Sequence, residues 1–194
     1  MESLTVAPRL FFNMKDEEII ALLADPAEHE KAFRGILKAY KEKIYYHVRK
    51  IVIDHDDADD VTQEAFIKIW RNLDKFRGDS KLYTWLYRIA TNEALTFLQK
   101  KKKDRGISID DNEMLVATLE SSKSDTYMGG EEIEMKLQKA LLLLTDKQRV
   151  VFNLKYFEEL KYEEIAEITE TSVGGLKATY HFAVKKIEEF LTKN

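Results

Sequence analysis

The chain of 194 residues has no cysteine, only two prolines and seven glycines. Without cysteine there is no disulfide framework, no thiolate zinc site and no cysteine nucleophile. So few turn-formers argue against an all-β chain, which needs many turns. No apolar run approaches the roughly 20 residues that span a bilayer; the longest without alanine is the tetrad 141–144, and with alanine the run 19–24 reaches six. The first residues, MESLTVAPRLFFNMKDEE, lack a basic segment followed by a long apolar run, so no signal peptide is expected. A soluble, cytoplasmic protein is expected. Hydrophobic residues make up 44% of the chain and charged residues 34%, enough apolar matter for a core.

The formal net charge is −4, which by itself argues mildly against a nucleic-acid partner. The distribution argues differently. Residues 54–64 hold six carboxylates and no Lys or Arg. Residues 68–103 hold ten Lys and Arg against three acids, and residues 104–134 hold nine acids against two cations. A single charged run is ordinarily a solvated surface; alternation of sign along the chain calls for more.

Periodicity of three and four predicts helices over most of the chain. A short one fits residues 16–24, stopping near Pro26. A longer one fits 27–53, with Phe33, Ile36, Leu37, Tyr40, Ile44, Val48 and Ile51 on one stripe. The next spans 57–73, capped by Asp56 or Asp57, its apolar face Val61, Ala65, Phe66, Ile69, Trp70 and Leu73. Residues 76–80, FRGDS, read as a loop. Ser80 can cap a helix running into the four lysines 100–103, which suit a helix C-terminus. Residues 104–130, acidic, serine-rich and closing on Gly129–Gly130, read as a linker with a short ordered piece near 114–119. Helices resume at 133–144, 146–156, 162–168 and 172–191. The expected fold class is all-α, two helical domains joined by a flexible linker.

Within YEEIAEITETSVGGLKATYHFAVKKIEEF, residues 162–190, the spacing fits a helix-turn-helix. Ile165, Ala166 and Ile168 face inward, residues 169–171 turn, and Val173, Leu176, Tyr180, Ala183 and Ile187 face inward again. Ser172 or Thr171 can cap the second helix. Gly174 and Gly175 leave room for close backbone approach, and Lys177, Thr179, His181, Lys185 and Lys186 point outward. A plain helical hairpin satisfies the same spacing. Glu170 stands where a turn glycine is usual, which requires φ > 0 or another turn. Around residues 76–88 aromatics alternate with cations, a mixture suited to single-stranded nucleic acid; Trp85, in phase with Leu82, Leu86 and Ile89, reads as core.

Two segments are also recognisable. DADDVTQEAFIKIW (57–70) followed by FRGDSKLYTWLYRIATNEALTFLQKKKK (76–103) resembles region 2 of sigma-70-type transcription initiation factors of the extracytoplasmic-function (ECF) group. LTDKQRVVFNLKYFEELKYEEIAEITETSVGGLKATYHFAVKKI (144–187) resembles region 4 of the same group. The resemblance implies an N-terminal extension (1–26), a region 2 domain (27–103) for polymerase binding and −10 recognition and melting, an acidic linker (104–130), and a region 4 domain (131–194) for −35 recognition. It implies that Asp60, Gln63, Glu64, Phe66 and Trp70 meet the β′ coiled coil of core RNA polymerase, with the β flap as a second contact. It implies that Phe76, Arg77, Gly78, Asp79, Ser80 and Lys81, with Asn92, serve the −10 element and that Lys177 serves the −35 element; the charge pattern adds Arg88 to the first set, and the helix-turn-helix spacing adds Ser172, Gly174, Gly175, Thr179, His181 and Lys185 to the second. The family often has Asp and Arg at the positions of Thr96 and Gln99, and Arg at those of Phe182 and Val184. Promoter bases therefore do not transfer. An anti-sigma factor is an expected partner; catalysis, cofactor and metal are not expected. Two other classes compete: a helix-turn-helix repressor or activator acting without polymerase, and a carboxylate metalloenzyme built on DHDDADD (54–60). An EF-hand fails, because its sixth and twelfth positions would be Asp59 and Ala65.

Overall fold

The computed structural model describes residues 14–104 and 132–193. The expected short piece at 114–119 lies outside them. The described residues are all-helical. The first block holds α1 (Asp16–Leu23), α2 (His29–Val52), α3 (His55–Arg71) and α4 (Leu82–Asp104). The second holds α5 (Glu132–Leu142), α6 (Asp146–Phe152), α7 (Tyr162–Thr169) and α8 (Val173–Lys193).

The first block grows around the apolar stripe of α2. Ile36, Ile44, Val48 and Ile51 are fully buried and meet Val61, Ala65 and Ile69 of α3 and Leu86, Ala90 and Ala94 of α4. α1 crosses α2 where Gly35 leaves space: a Cβ there would stand 3.0 Å from Met14 Sδ and 3.2 Å from Ile19 Cγ1. The Tyr40 hydroxyl donates to the Asp16 carboxylate at 2.7 Å and ties the same crossing. α2 ends on Ile53, whose φ of 74° is strained for a β-branched residue. The cap of α3 is Asp54, which accepts the Asp57 N–H at 3.0 Å. The expected caps, Asp56 and Asp57, instead occupy the first turn, where their charge still suits the helix dipole.

In the second block Ala140, Leu141, Leu144, Phe152, Ala183 and Ile187 form a small core of their own. Thr145 and Gln148 make a reciprocal capping box at the start of α6. The helix expected over 146–156 is α6 for its first half. From Asn153 to Phe157 it widens into one π turn.

The blocks pack against each other, which a reading of two tethered domains did not contain. Val150, Leu154, Ile165, Ile168 and Leu176 of the second block belong to the core of the first. Arg149, 2% exposed, donates through Nη1 to the Ile51 carbonyl at 2.8 Å and through Nη2 to the Leu144 carbonyl at 3.2 Å. Asn153 Nδ2 donates to the Lys50 carbonyl at 3.1 Å. The last carbonyls of α2, orphaned by helix geometry, thus find donors on α6 and the π turn.

Candidate functional site

Three places carry the residues singled out from the sequence. The first is an open groove of about 1230 Å³ between α2 and α3. Gln63, Phe66, Ile67 and Trp70 form its α3 wall, a stripe at spacings of three and four. Phe33, Leu37 and Tyr45 form its α2 wall, and Glu30, Arg34, Lys41 and Asp59 rim it. The Trp70 ring lies 5.1 Å from that of Phe33, yet Trp70 is 46% exposed and Ile67 39%. Trp70 was expected on the buried face of α3. It sits at the edge of that face, against Phe33 of α2. Asp60 and Glu64 are exposed on α3 but do not line the groove, whereas Phe66 belongs to both groove and core. The α2 wall escaped the sequence reading, because Phe33 and Leu37 fall in phase with the core stripe; both are only half-buried.

The second place is the loop over residues 76–81 and the start of α4. The half-buried Phe76 packs on Trp85 at 5.4 Å between ring centroids, and Trp85 is 6% exposed, as its phase required. The loop turns on Gly78, whose φ is +77°. Arg77, Gly78, Asp79 and Lys81 are exposed, Ser80 and Arg88 half-buried, and Asn92 exposed one turn beyond Arg88.

The third is the turn from α7 to α8. α7 ends on Glu170 in the left-handed region, φ 52° and ψ 36°, one of the two outcomes its position allowed. Ser172 Oγ accepts the Gly175 N–H at 3.2 Å and so caps α8. Around Gly174 a Cβ would meet nothing within 4 Å, whereas at Gly175 it would stand 3.3 Å from Ser172 Oγ. Lys177, His181 and Lys185 are exposed. Lys177 Nζ lies 5.7 Å from the Tyr162 ring centroid. Thr179 is half-buried and donates to the Gly175 carbonyl at 2.8 Å, leaving its hydroxyl engaged with its own helix. Leu176, Ala183 and Ile187 face inward as expected; Val173 and Tyr180 are only half-buried.

Contacts between the blocks reach the second place. Lys81 Nζ donates to Glu164 Oε1 at 2.8 Å, and the Tyr83 hydroxyl donates to the same oxygen. The Tyr87 hydroxyl donates to Glu158 Oε2 at 2.8 Å, and Lys50 Nζ lies 3.6 Å from Glu158 Oε1. Burial pushes the Glu164 carboxyl up, but hydrogen bonds from Lys81, Tyr83 and the Lys161 amide outweigh it and hold the group down at about 2. Neither glutamate was marked by its sequence context, since both lie in an ordinary acidic run.

The DHDDADD stretch is spent on structure: Asp54 caps α3, Asp57 pairs with Lys101, and Asp59 lies 3.7 Å from His55 Nε2. Among the described residues no group of three or more His, Asp or Glu is placed to hold a metal ion. Among them, too, no helix is long and apolar enough to cross a membrane.

Comparison with known proteins places these features. Residues 36–104 match the family Sigma-70 region 2, and residues 134–187 match Sigma-70, region 4. The chain is 34% identical over 168 residues to the RNA polymerase sigma-H factor of Pseudomonas aeruginosa, covering 84% of this chain and 87% of that protein. It is 35% identical over 158 residues to the ECF RNA polymerase sigma factor SigW of Bacillus subtilis, covering 78% and 84%. It is 34% identical over 165 residues to the ECF RNA polymerase sigma-E factor of Escherichia coli, covering 82% and 86%. The fold is similar to that of the sigma factor RpoE in its complex with the anti-sigma factor NepR from Bartonella quintana. That likeness has a TM-score of 0.67 at 22% identity, over 84% of this chain and 98% of that one. It is also similar to CnrH in complex with the cytosolic domain of CnrY, TM-score 0.63 at 20% identity, over 91% and 96%. A repressor acting without polymerase does not fit two ordered sigma regions in one chain. The chain belongs to the ECF group of the sigma-70 family: it binds core RNA polymerase, directs it to specific promoters and assists promoter opening.

Proposed function

We propose that the groove between α2 and α3 is the seat of the polymerase β′ coiled coil. The single observation that supports this most is the exposed Gln63, Ile67 and Trp70 stripe facing Phe33, an apolar surface with a charged rim. A helical partner lays its own apolar face into such a groove. Asp60 and Glu64 flank the stripe and orient that partner by charge; Phe66 supports it from beneath. The second block meets the β flap.

The loop of Phe76, Arg77, Gly78, Asp79, Ser80 and Lys81, with Arg88 and Asn92 on α4, takes the −10 element as it melts. Cations there hold phosphates, and the left-handed Gly78 opens the loop toward a displaced base. The N-terminal part of α8 takes the −35 element in the major groove. Ser172, Gly174 and Gly175 bring backbone close to phosphate, while Lys177, His181 and Lys185 reach from the exposed face. Thr179 contributes through its methyl group, its hydroxyl being engaged. The acidic linker (104–130) follows the RNA exit path. The protein works in the cytoplasm and performs no catalysis of its own. Because two proteins of similar fold were solved with anti-sigma factors, we extend that class of partner to this chain.

The test is reconstitution with core polymerase. The wild-type chain is expected to co-purify with core and to support run-off transcription from its promoter. Replacing residues 77–81 with glycine and serine, with Phe76 kept because it packs on Trp85, should spare core binding and abolish permanganate reactivity of the −10 thymines. A bubble of unchanged extent in that variant would remove the loop from promoter opening.

A further inference from the structure

We propose that Phe182 reads the 5-methyl group of a thymine in the −35 element, and so sets a base preference that the cations of α8 do not supply. The inference rests on the −35 reading of α8 given above.

Phe182 is 57% exposed, more than any other large apolar side chain among the described residues. Its ring meets that of His181, also exposed, edge-on at 5.9 Å between centroids. With Gly174 and Ala178 it forms an exposed, uncharged line at spacings of four. Leu176, Ala183 and Ile187 are buried on the other side of the helix. About 12 Å of helix separate Gly174 from Phe182, the span of about three or four base pairs. Neither Gly174 nor Ala178 carries more than a methyl group, so Phe182 is the first large group that this line offers to the floor of a groove. The neighbouring lysines have partners within the protein: Lys177 Nζ lies 5.7 Å from the Tyr162 ring centroid, Lys185 Nζ lies 4.0 Å from Glu189 Oε1, and Lys186 Nζ donates to Gln148 Oε1 at 3.4 Å.

Groove chemistry identifies the ligand. Every base edge in the major groove presents hydrogen-bond donors or acceptors, and the one protruding apolar group there is the C5 methyl of thymine. A phenyl ring neither donates nor accepts a hydrogen bond. Against the polar edge of guanine, adenine or cytosine it displaces water and replaces none of the lost hydrogen bonds. Against a thymine methyl it buries apolar surface on both partners. A protein partner fits this side chain less well. Leu191, the other large exposed apolar residue of α8, is nine residues on and half a turn out of phase. The two do not share a face on which another protein could settle.

The experiment uses holoenzyme assembled from core polymerase and the full-length chain. Run-off transcription from a promoter library randomised over the −35 element gives the base preference. Wild type is expected to favour thymine, on one strand or the other, at one or two positions where Phe182→Ala does not, with preferences elsewhere retained. Deoxyuridine placed at such a thymine removes the methyl group and nothing else. Wild-type yield at subsaturating holoenzyme should then fall about fourfold, as expected for one buried methyl group. Phe182→Ala should transcribe both templates within about 1.5-fold of each other, and Phe182→Leu, still apolar, should keep the discrimination. Unchanged circular dichroism certifies that the variants fold. A wild type with no thymine preference, or indifferent to loss of the methyl group, overturns the proposal without recourse to any variant. An equal response of wild type and Phe182→Ala overturns it too. In either case α8 stays on the −35 element if Gly174→Leu still lowers transcription, and the −35 reading falls as well if Gly174→Leu has no effect. A wild-type dimer in sedimentation that Phe182→Ala disperses would make the ring a contact between copies and likewise overturn the proposal.

Discussion

His47 of α2 is fully buried, its ring 4.8 Å from that of Tyr87 and its Nε2 2.8 Å from Thr91 Oγ1. Nδ1 has no partner. Burial, aided by the charge of Lys50, pushes this imidazole down from 6.5 to about 3. The native state therefore keeps it neutral where the unfolded chain protonates it. Its contribution to stability is complete above pH 6.5 and is lost as pH falls from 6.5 toward 3. The slope is about 1.4 kcal/mol per pH unit. Urea unfolding at pH 7.5 and 5.5 should show the wild type losing about 1.4 kcal/mol more than His47→Gln; equal losses would remove His47 as the cause. At Gly174 the surroundings are empty, so a side chain there alters only what approaches from outside. Gly174→Leu should keep the melting temperature within about 2 °C, while run-off transcription that depends on the −35 element falls about tenfold or more. Unchanged yield would place the start of α8 away from the DNA.

α3 serves two surfaces. Ala58, Val61, Ala65 and Ile69 are buried, and Gln63, Ile67 and Trp70 look into the groove. Because Gln63 and Glu64 are exposed and off the buried stripe, Gln63→Ala/Glu64→Ala should change stability by no more than about 0.5 kcal/mol. A groove that receives a helix of the polymerase should then lose core affinity by about tenfold, 1.4 kcal/mol. A titration of labelled protein against core polymerase measures this, and wild-type affinity in the variant would move the docking surface off α3. The same helix shows how far periodicity carries. It places Val61, Ala65 and Ile69 correctly, since a 3.6-residue repeat reports direction about the helix axis. It misplaces Trp70, since the repeat does not report how far a neighbouring helix extends. It also puts the cap at Asp56 or Asp57 where the structure uses Asp54, because a row of acids offers several side chains of equal capping strength.

At the scale of the molecule the two blocks share a core, and Arg149 is the joint. Its guanidinium is buried, so burial lowers its pKa despite the nearby Asp146. Its hydrogen bonds reach the Ile51 and Leu144 carbonyls, one in each block. Removing it leaves both carbonyls short of a donor in a dry place. Wild-type protein should therefore unfold in one calorimetric transition. Arg149→Ala should lose about 3 kcal/mol or more and split the transition in two. Two transitions in the wild type would show that the shared core does not couple the blocks.

The sequence by itself determined the all-α class and most of the inward faces, because Ile36, Ile44, Val48 and Ile51, or Leu176, Ala183 and Ile187, repeat with the period of a helix. It narrowed Glu170 to positive φ or another turn and marked Trp85 as core, both local properties of spacing. The family likeness was legible for the same reason, since its motifs are short and contiguous. Only the tertiary structure decided which faces meet. The groove needs Phe33 beside Trp70, and the joint needs Arg149 beside Ile51, 98 residues away. Such pairings depend on how whole helices cross. A helical period states which way each residue points and carries no information about what waits there.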